Sequence, residues 1–307
     1  MIGTALSRHL LNQGYDVIIL SRNPVQTASV YKTSSSQNSF RPSGNIFYAR
    51  WDTDKKMIDP QAIAKADHIV HLAGEGVAKK RWTKKRKEEI RLSRTQSSEL
   101  LFSCLTSQPN KVKSVISASA IGWYGPDQGK VFTEEDPSSN DFLGQTCKAW
   151  EQSIDKVESL GKRLVKLRLG IALSNEGGAL AEFKKPARFG VAAVLGSGNQ
   201  VTSWIHIDDI SRMFIHLLTE RSDHSVYNGV APRPLTNKKF TEEVRDAFGS
   251  GIVLPAPALG LKIALGEMSK VVLNSNRVLP KNFTEVGFRF EFPDLTNAIK
   301  DLLVREV

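Results

Sequence analysis

The sequence predicts an α/β fold, with a doubly wound parallel sheet over residues 1–175 that lacks its first strand and a smaller C-terminal α/β subdomain over 176–307. Three observations carry this expectation. Helix-like and strand-like segments alternate up to about residue 175, a rhythm that implies parallel pairing with helices on both faces. The chain opens on Met1-Ile2-Gly3 and runs directly into a helix, with no strand before it. Beyond residue 175 the rhythm loosens into Gly- and Pro-rich connections, with helices expected near 208–220, 237–248, 258–273 and 294–303.

In chain order, TALSRHLLNQG reads as a helix stopped by Gly14, a residue suited to a left-handed turn. YDVIILSR follows as a buried β-branched strand closed by polar residues. TASVYKTSSSQNSF (27–40) is Ser-rich and aperiodic, the pattern of a mobile surface loop. IFYARW is a strand, DPQAIAKA a short helix, and DHIVHLAG a third strand. A basic segment opens a long helix to about Ser107, and VKSVISASA returns as a strand. Gln145 to Leu160 reads as a helix with Gly161 as its stop, and KRLVKLRLGIAL as one further strand.

Composition narrows the function classes. Of 307 residues, 40% are hydrophobic and 24% charged, which excludes a disordered or collagen-like chain. No apolar run approaches the ~20 residues of a spanning helix, and the polar start MIGTALSRHLLNQGYD does not read as a signal peptide. Two cysteines, Cys104 and Cys147, are too few for a disulfide scaffold or a four-cysteine zinc site. A soluble intracellular protein, cytoplasmic or in an organellar matrix, is the expectation, with no membrane among its partners. The net charge is +10, of which residues 79–94 (KKRWTKKRKEEIRLSR) contribute +7 with nine basic and two acidic residues. A solvated helix face, a phosphate footprint on nucleic acid, or a site beside a small anionic cofactor would each account for that run.

A dinucleotide-binding fold runs its first strand into a glycine-rich turn at a helix N-terminus, where the pyrophosphate sits. Here one glycine remains, Gly3, and YDVIILSR arrives about one helix later as a second strand should. Ser21 and Arg22 end that strand, at the place where an acid would bind a free ribose 2′-hydroxyl and an Arg suits a 2′-phosphate. No acid occupies the turn. NADP is therefore the expected cofactor, with a polar strand cap as the alternative role for Arg22.

With those residues in place, the chain resembles the extended, epimerase-type short-chain dehydrogenase/reductases. More narrowly, it resembles their subfamily of NADP-dependent oxidoreductases, some of whose bacterial members carry a cell-division-inhibitor label. The stretches that carry the resemblance are IGTAL (2–6), SRNP (21–24), HLAGEGV (71–77), RWTKKRKEEIRLSR (81–94), SASAIGWYG (117–125), CKAWE (147–151), RLGIAL (168–173), SWIHIDDI (203–210), YNGVAPRPLTN (227–237) and RVLP (277–280). The resemblance implies a Rossmann-type sheet, a cofactor-binding half and a substrate subdomain. It also implies that about ten residues bearing the first strand and glycine loop are absent. It assigns Leu72, Ala73 and Gly74 to the cofactor ridge, Glu89 and Arg94 to a helix face turned to the dinucleotide, and Leu173 to the nicotinamide wall. Read alone, each also suits a strand end, a solvated helix face or the core.

Reductases of this superfamily use a Tyr as general acid/base, with a Lys four residues later lowering its pKa. None of Tyr15, Tyr31, Tyr48, Tyr124 and Tyr227 has a Lys four residues on. Anchoring on Glu151 puts Cys147 at the Lys position and Leu143 at the Tyr position. Ser119, at the superfamily's substrate-orienting serine, and Tyr124 are the candidate catalytic residues, with packing in the WYG turn as the alternative for Tyr124. His206 and Asp208 read as bracketing a strand-to-helix turn, with Asp208 as the N-cap. The expected function is an NADP-dependent oxidoreductase acting on a small polar substrate. Its alternative is an NADP-binding sensor or scaffold without turnover; duplex binding through 79–94 is the weakest reading.

Overall fold

Strands that alternate with helices do pair in parallel in the computed structural model, which describes residues 1–25, 43–187, 189–221, 223–247, 249 and 251–305. The Ser-rich stretch 27–40 lies outside the described residues. Helix α1 (Ile2–Asn12) leads into β1 (Val17–Ser21), followed by β2 (Ile46–Asp52) and β3 (Met57–Ile58). Helix α2 (Pro60–Lys65), capped by the Asp59 carboxylate accepting from the Gln61 amide, precedes β4 (His68–His71). Helix α3 (Lys84–Ser107), capped by the Thr83 hydroxyl, crosses to β5 (Ser114–Ala120), and α4 (Phe142–Asp155) to β6 (Arg163–Leu169). The remaining chain supplies β7 (Ile171–Ser174), β8 (Gly177–Gly178), α5 (Ala179–Ala187), β9 (Val191–Leu195), β10 (Val201–Thr202), β11 (Trp204–His206) and α6 (Ile207–Thr219). It ends through β12 (Val226–Gly229), β13 (Leu235–Thr236), α7 (Asn237–Ala247), β14 (Ile252–Ala256), α8 (Ala258–Leu265), α9 (Lys270–Leu273), α10 (Lys281–Glu285) and α11 (Leu295–Val304).

The central sheet is four parallel strands in the order β12-β6-β5-β4. Its residues alternate between two cores, as a sheet covered on both faces requires. Ile116, Ala118, Val165 and Leu167 enter one core with Leu6, Trp150 and Phe214. Val115 and Leu164 enter the other with Ile63, Leu101, Ile154 and Val157. A second sheet, β1-β2-β3, pairs β1 with β2 in parallel and β2 with β3 antiparallel.

Between β1 and β4 lies an open cleft of about 1980 Å³, lined by residues 17–20 and 68–71 together with Leu6, Leu10 and Leu72. No strand among the described residues pairs with β4 on its β1 side. One expectation changes here: VIILS is half-buried along its whole length rather than buried, with β2 paired along one of its edges.

Two further expectations change. KRLVKLRLGIAL is two strands, broken at Gly170, where a Cβ would stand 2.7 Å from Val230 Cγ1 and 2.8 Å from the Ser203 carbonyl oxygen. That close approach turns β7 out of the central sheet to pair with β11. The single helix expected over 258–273 is interrupted by Gly266 at φ +61, which separates α8 from a 3-10 turn and α9. The C-terminal half is also less separate than its rhythm implies, since β12 sits in the central sheet against β6.

Candidate functional site

Parallel strands bring their C-terminal ends to one edge, and the loops after β1, β4 and β5 supply most of the predicted site residues. Gly3 lies in the first turn of α1, where a Cβ would meet Leu72 Cδ1 at 3.6 Å, so the helix start and the end of β4 are in contact. Ser21 closes β1, and its hydroxyl accepts from the Asn23 amide at 3.1 Å. Arg22 follows, exposed and without an ion pair among the described residues.

Across from it stands Glu75. Its carboxylate is held below the usual range first by a hydrogen bond from Arg86, then by the charges of Lys79, Arg86 and Arg22. The Arg22 charge is thus felt at the loop after β4, and the two strand ends face one another. Arg86 is buried and divides its guanidinium between Glu75 at 3.1 Å, Glu89 at 3.0 Å and the Gly76 carbonyl at 2.8 Å. Glu89 is therefore engaged by its own helix. Arg94 lies over Gly74, where a Cβ would be 3.2 Å from the guanidinium carbon. It donates to the Ile90 carbonyl at 2.8 Å and stacks 4.9 Å from the Trp150 ring. Burial lowers its pKa. Leu72 and Ala73 are half-buried and Gly74 is exposed. Leu173 is set apart from this group: it is fully buried on β7, in the main core with Leu6 and Trp204.

Ser119 and Tyr124 do meet, through a network invisible in the local sequence. Ser119 Oγ donates to Glu151 Oε1 at 2.7 Å, and Arg168 grips the same carboxylate with Nε at 2.8 Å and Nη2 at 3.0 Å. Arg168 Nη1 donates to the Tyr124 hydroxyl at 2.9 Å, which donates in turn to Asn228 Oδ1 at 2.7 Å. The Trp123 ring packs on the guanidinium at 3.8 Å. The Asn228 amide donates to Glu134 Oε1 at 2.8 Å, and burial raises the Glu134 pKa while its Oε2 finds no partner. Ser119 and Tyr124 are 2% and 3% exposed. Burial pushes the Tyr124 phenol up to about 12, so it keeps its proton at neutral pH.

Leu143 and Cys147 lie beside this network. A Cβ on Gly122 would be 3.2 Å from Leu143 Cβ and 3.7 Å from Cys147 Sγ. Burial pushes the Cys147 thiol up to about 12, far from the range of a nucleophilic thiolate. Sequence reasoning missed Arg168, Glu134 and Asn228. Arg168 is one of three cations on β6, with Arg163 and Lys166, and only its burial in the structure sets it apart.

His206 and Asp208 form a separate cluster that ties α1, α6 and α11 together. The N-cap of α6 is His206, not Asp208: His206 Nδ1 accepts from the Asp208 amide at 3.2 Å. The backbone places the imidazole one residue ahead of the first turn and leaves the Asp208 carboxylate for His9 Nε2 at 3.0 Å and Arg305 at 2.6 Å. Burial works to raise the Asp208 pKa, but those partners outweigh it and hold the group well below the usual carboxylate range. His206 Nε2 lies 3.2 Å from Asp301 Oδ2, beside which Arg305 also sits at 2.8 Å. His206 Nδ1 already uses its lone pair on an amide, and a guanidinium bridges both carboxylates. The cluster is accordingly built as an ion network.

Known proteins resemble the chain at two levels. Residues 1–149 match the NAD dependent epimerase/dehydratase family, and residues 256–302 match a domain of unknown function, DUF1731. An epimerase family protein of Staphylococcus saprophyticus is 34% identical over 304 residues, 99% of this chain and 96% of its own. One from Staphylococcus aureus is 37% identical over 259 residues, covering 84% and 85%. Among solved structures, the human epimerase family protein SDR39U1, determined with NADPH, superposes with a TM-score of 0.82 at 27% identity, covering 98% of this chain and 95% of that one. No helix among the described residues is long and apolar enough to cross a membrane.

Proposed function

The chain belongs to the epimerase family, within the extended short-chain dehydrogenase/reductases, and from that premise we propose that it binds NADP and acts as an oxidoreductase or epimerase-like protein on a small polar substrate. The observation that carries the NADP reading is Arg22: an exposed cation at the end of β1, in a turn without an acid, while Glu75, a carboxylate that feels its charge, is already engaged by Arg86 and Lys79. That charge set fits a 2′-phosphate. The human relative determined with NADPH supports the same choice. Residues 1–175 form the cofactor-binding unit in this reading, and 176–307 the substrate unit.

When bound, the nicotinamide supplies the hydride chemistry. Gly3 leaves the start of α1 open to the pyrophosphate, Ser21 and Arg22 take the ribose phosphate, and Leu72, Ala73 and Gly74 line the ridge beneath. Glu89 and Arg94 shape the opposite wall, Glu89 by holding Arg86 and Arg94 by packing over Gly74. Leu173 contributes from behind, as core. Ser119 and Tyr124 position the reacting centre from the end of β5. Both are fixed by Arg168 and Glu151, and a phenol that keeps its proton orients rather than exchanges.

A second reading, NADP binding without turnover, rests on Leu143 and Cys147 standing beside Gly122, where the superfamily pattern would put Tyr and Lys. An NADPH-oxidation screen against carbonyl compounds separates the two, since a sensor binds and does not turn over. Calorimetric titration of Arg22→Asp tests the shared premise. The expected loss of NADPH affinity is ~1.5–3 kcal/mol, the scale of a charged hydrogen bond; equal affinity in variant and parent removes the phosphate assignment.

A further inference from the structure

Helix α8, with the sequence ALGLKIAL, is apolar, yet none of its residues is buried. Leu259 and Ile263, one turn apart on the same side, are 71% and 69% exposed. The strand that feeds the helix adds Ile252 and Leu254, both exposed. Apolar surface gathered in this way marks an interaction site.

The basic run of residues 79–87 is fastened to this helix. Trp82, Met268, Leu265 and Val271 pack in one cluster, and a Cβ on Gly266, the residue that ends α8, would stand 2.9 Å from Arg81 Nη2. Residues 75–94 and 258–270 together hold eleven basic and four acidic residues, a net +7. The acids are already engaged: Glu75 by Arg86 and Lys79, Glu89 by Arg86, Glu88 by Arg91, and Glu267 by Lys87 and Lys270. Lys80, Arg81, Lys84, Lys85 and Lys262 are exposed and have no ion pair among the described residues.

We propose that this face binds the surface of an anionic lipid bilayer. Leu259 and Ile263 enter the headgroup layer, and the five unpaired cations meet the lipid charges. Exposed aliphatic side chains beside a polybasic patch are the two attractions that hold a peripheral protein on such a surface. A nucleic-acid duplex would use the charge but not the aliphatic side chains. A second copy would bring two faces together that each carry five unpaired cations.

The test is co-sedimentation of the full chain with phosphatidylcholine vesicles, with and without phosphatidylserine, at low and high salt. Binding is expected only to the phosphatidylserine vesicles and is expected to weaken as salt rises. Reversing two charges in the Lys84→Glu, Lys85→Glu variant should weaken it by about thirtyfold or more. The Leu259→Asp, Ile263→Asp variant should abolish it. Both variants change exposed side chains and should keep the parent's melting temperature and NADPH affinity, so this test stands apart from the cofactor reading. No binding to phosphatidylserine vesicles overturns the proposal, as does unchanged binding by the Leu259/Ile263 variant. Equally tight binding to duplex DNA overturns it too, as does dimerisation through Leu259 and Ile263 without vesicle binding.

Discussion

Two strands, β1 and β5, each pair in parallel with a neighbour and end in different physical states. VIILS in β1 and SVISASA in β5 are both short runs opening on β-branched residues, Val17, Ile18 and Ile19 in one and Val115 and Ile116 in the other. β5 is paired on both edges, covered on both faces, and buried at six of its seven positions; β1 is paired on one edge and half-buried throughout. The runs themselves do not account for that difference. Neighbours do: a strand's burial is set by what pairs beside it and packs above it, which lies outside its own residues. The inner sheet can therefore hold costly groups such as Arg168 and His71, whereas the β1 side faces the cleft.

The sharpest test of this contrast removes a charge from the inner sheet. Arg168→Ala leaves the Glu151 carboxylate buried without its partner and should cost ~3–5 kcal/mol in urea unfolding. Replacing both groups with apolar residues, as in Arg168→Met with Glu151→Leu, should cost much less. Equal losses in the single and double variants would show that the ion pair is not the origin of the effect.

Acid provides a second probe. His71 on β4 is buried between Ser97 and Ser117, and burial pushes its pKa down to about 4. The folded state then binds fewer protons than the unfolded chain, so stability is intact above the ordinary histidine range and falls as pH drops from about 6.5 to 4. The expected loss from this residue is about 3 kcal/mol. His206, lowered by its own burial, adds to the same trend. In His71→Gln the slope over that window should shrink by most of this amount; an unchanged slope would remove His71 from the account.

The smallest expected effect compares the sheets directly. Leu167→Ala, at a fully buried position of β6, should cost about 3 kcal/mol, and Ile19→Ala at a half-buried position of β1 about 1 kcal/mol. Parity between the two would mean that β1 is as firmly packed as the centre.

Much of the fold was legible because its signals are local. Asp59 before Pro60, Thr83 before the basic helix, and Gly161 after Leu160 are short-range chemistry, and each marks an element end in the structure. The site was only partly legible. The end of β1 with Arg22 after it could be located because a strand end is a local signal, but the surroundings of Tyr124 could not. Its partners Arg168 and Asn228 lie 44 and 104 residues away, and the carboxylate that holds Ser119 lies 32 away.

By itself, then, the sequence determined the α/β alternation, the parallel sheet, the basic run and the acid-free turn at Arg22, since period, propensity and residue chemistry are properties of neighbouring residues. Tertiary structure alone decided that β6 and β7 part at Gly170, that His206 rather than Asp208 caps α6, that β1 is half-buried, and that α8 lies open beside the basic run. Each of these depends on which distant groups share the same space, and burial, pairing and desolvation exist only once those groups have met.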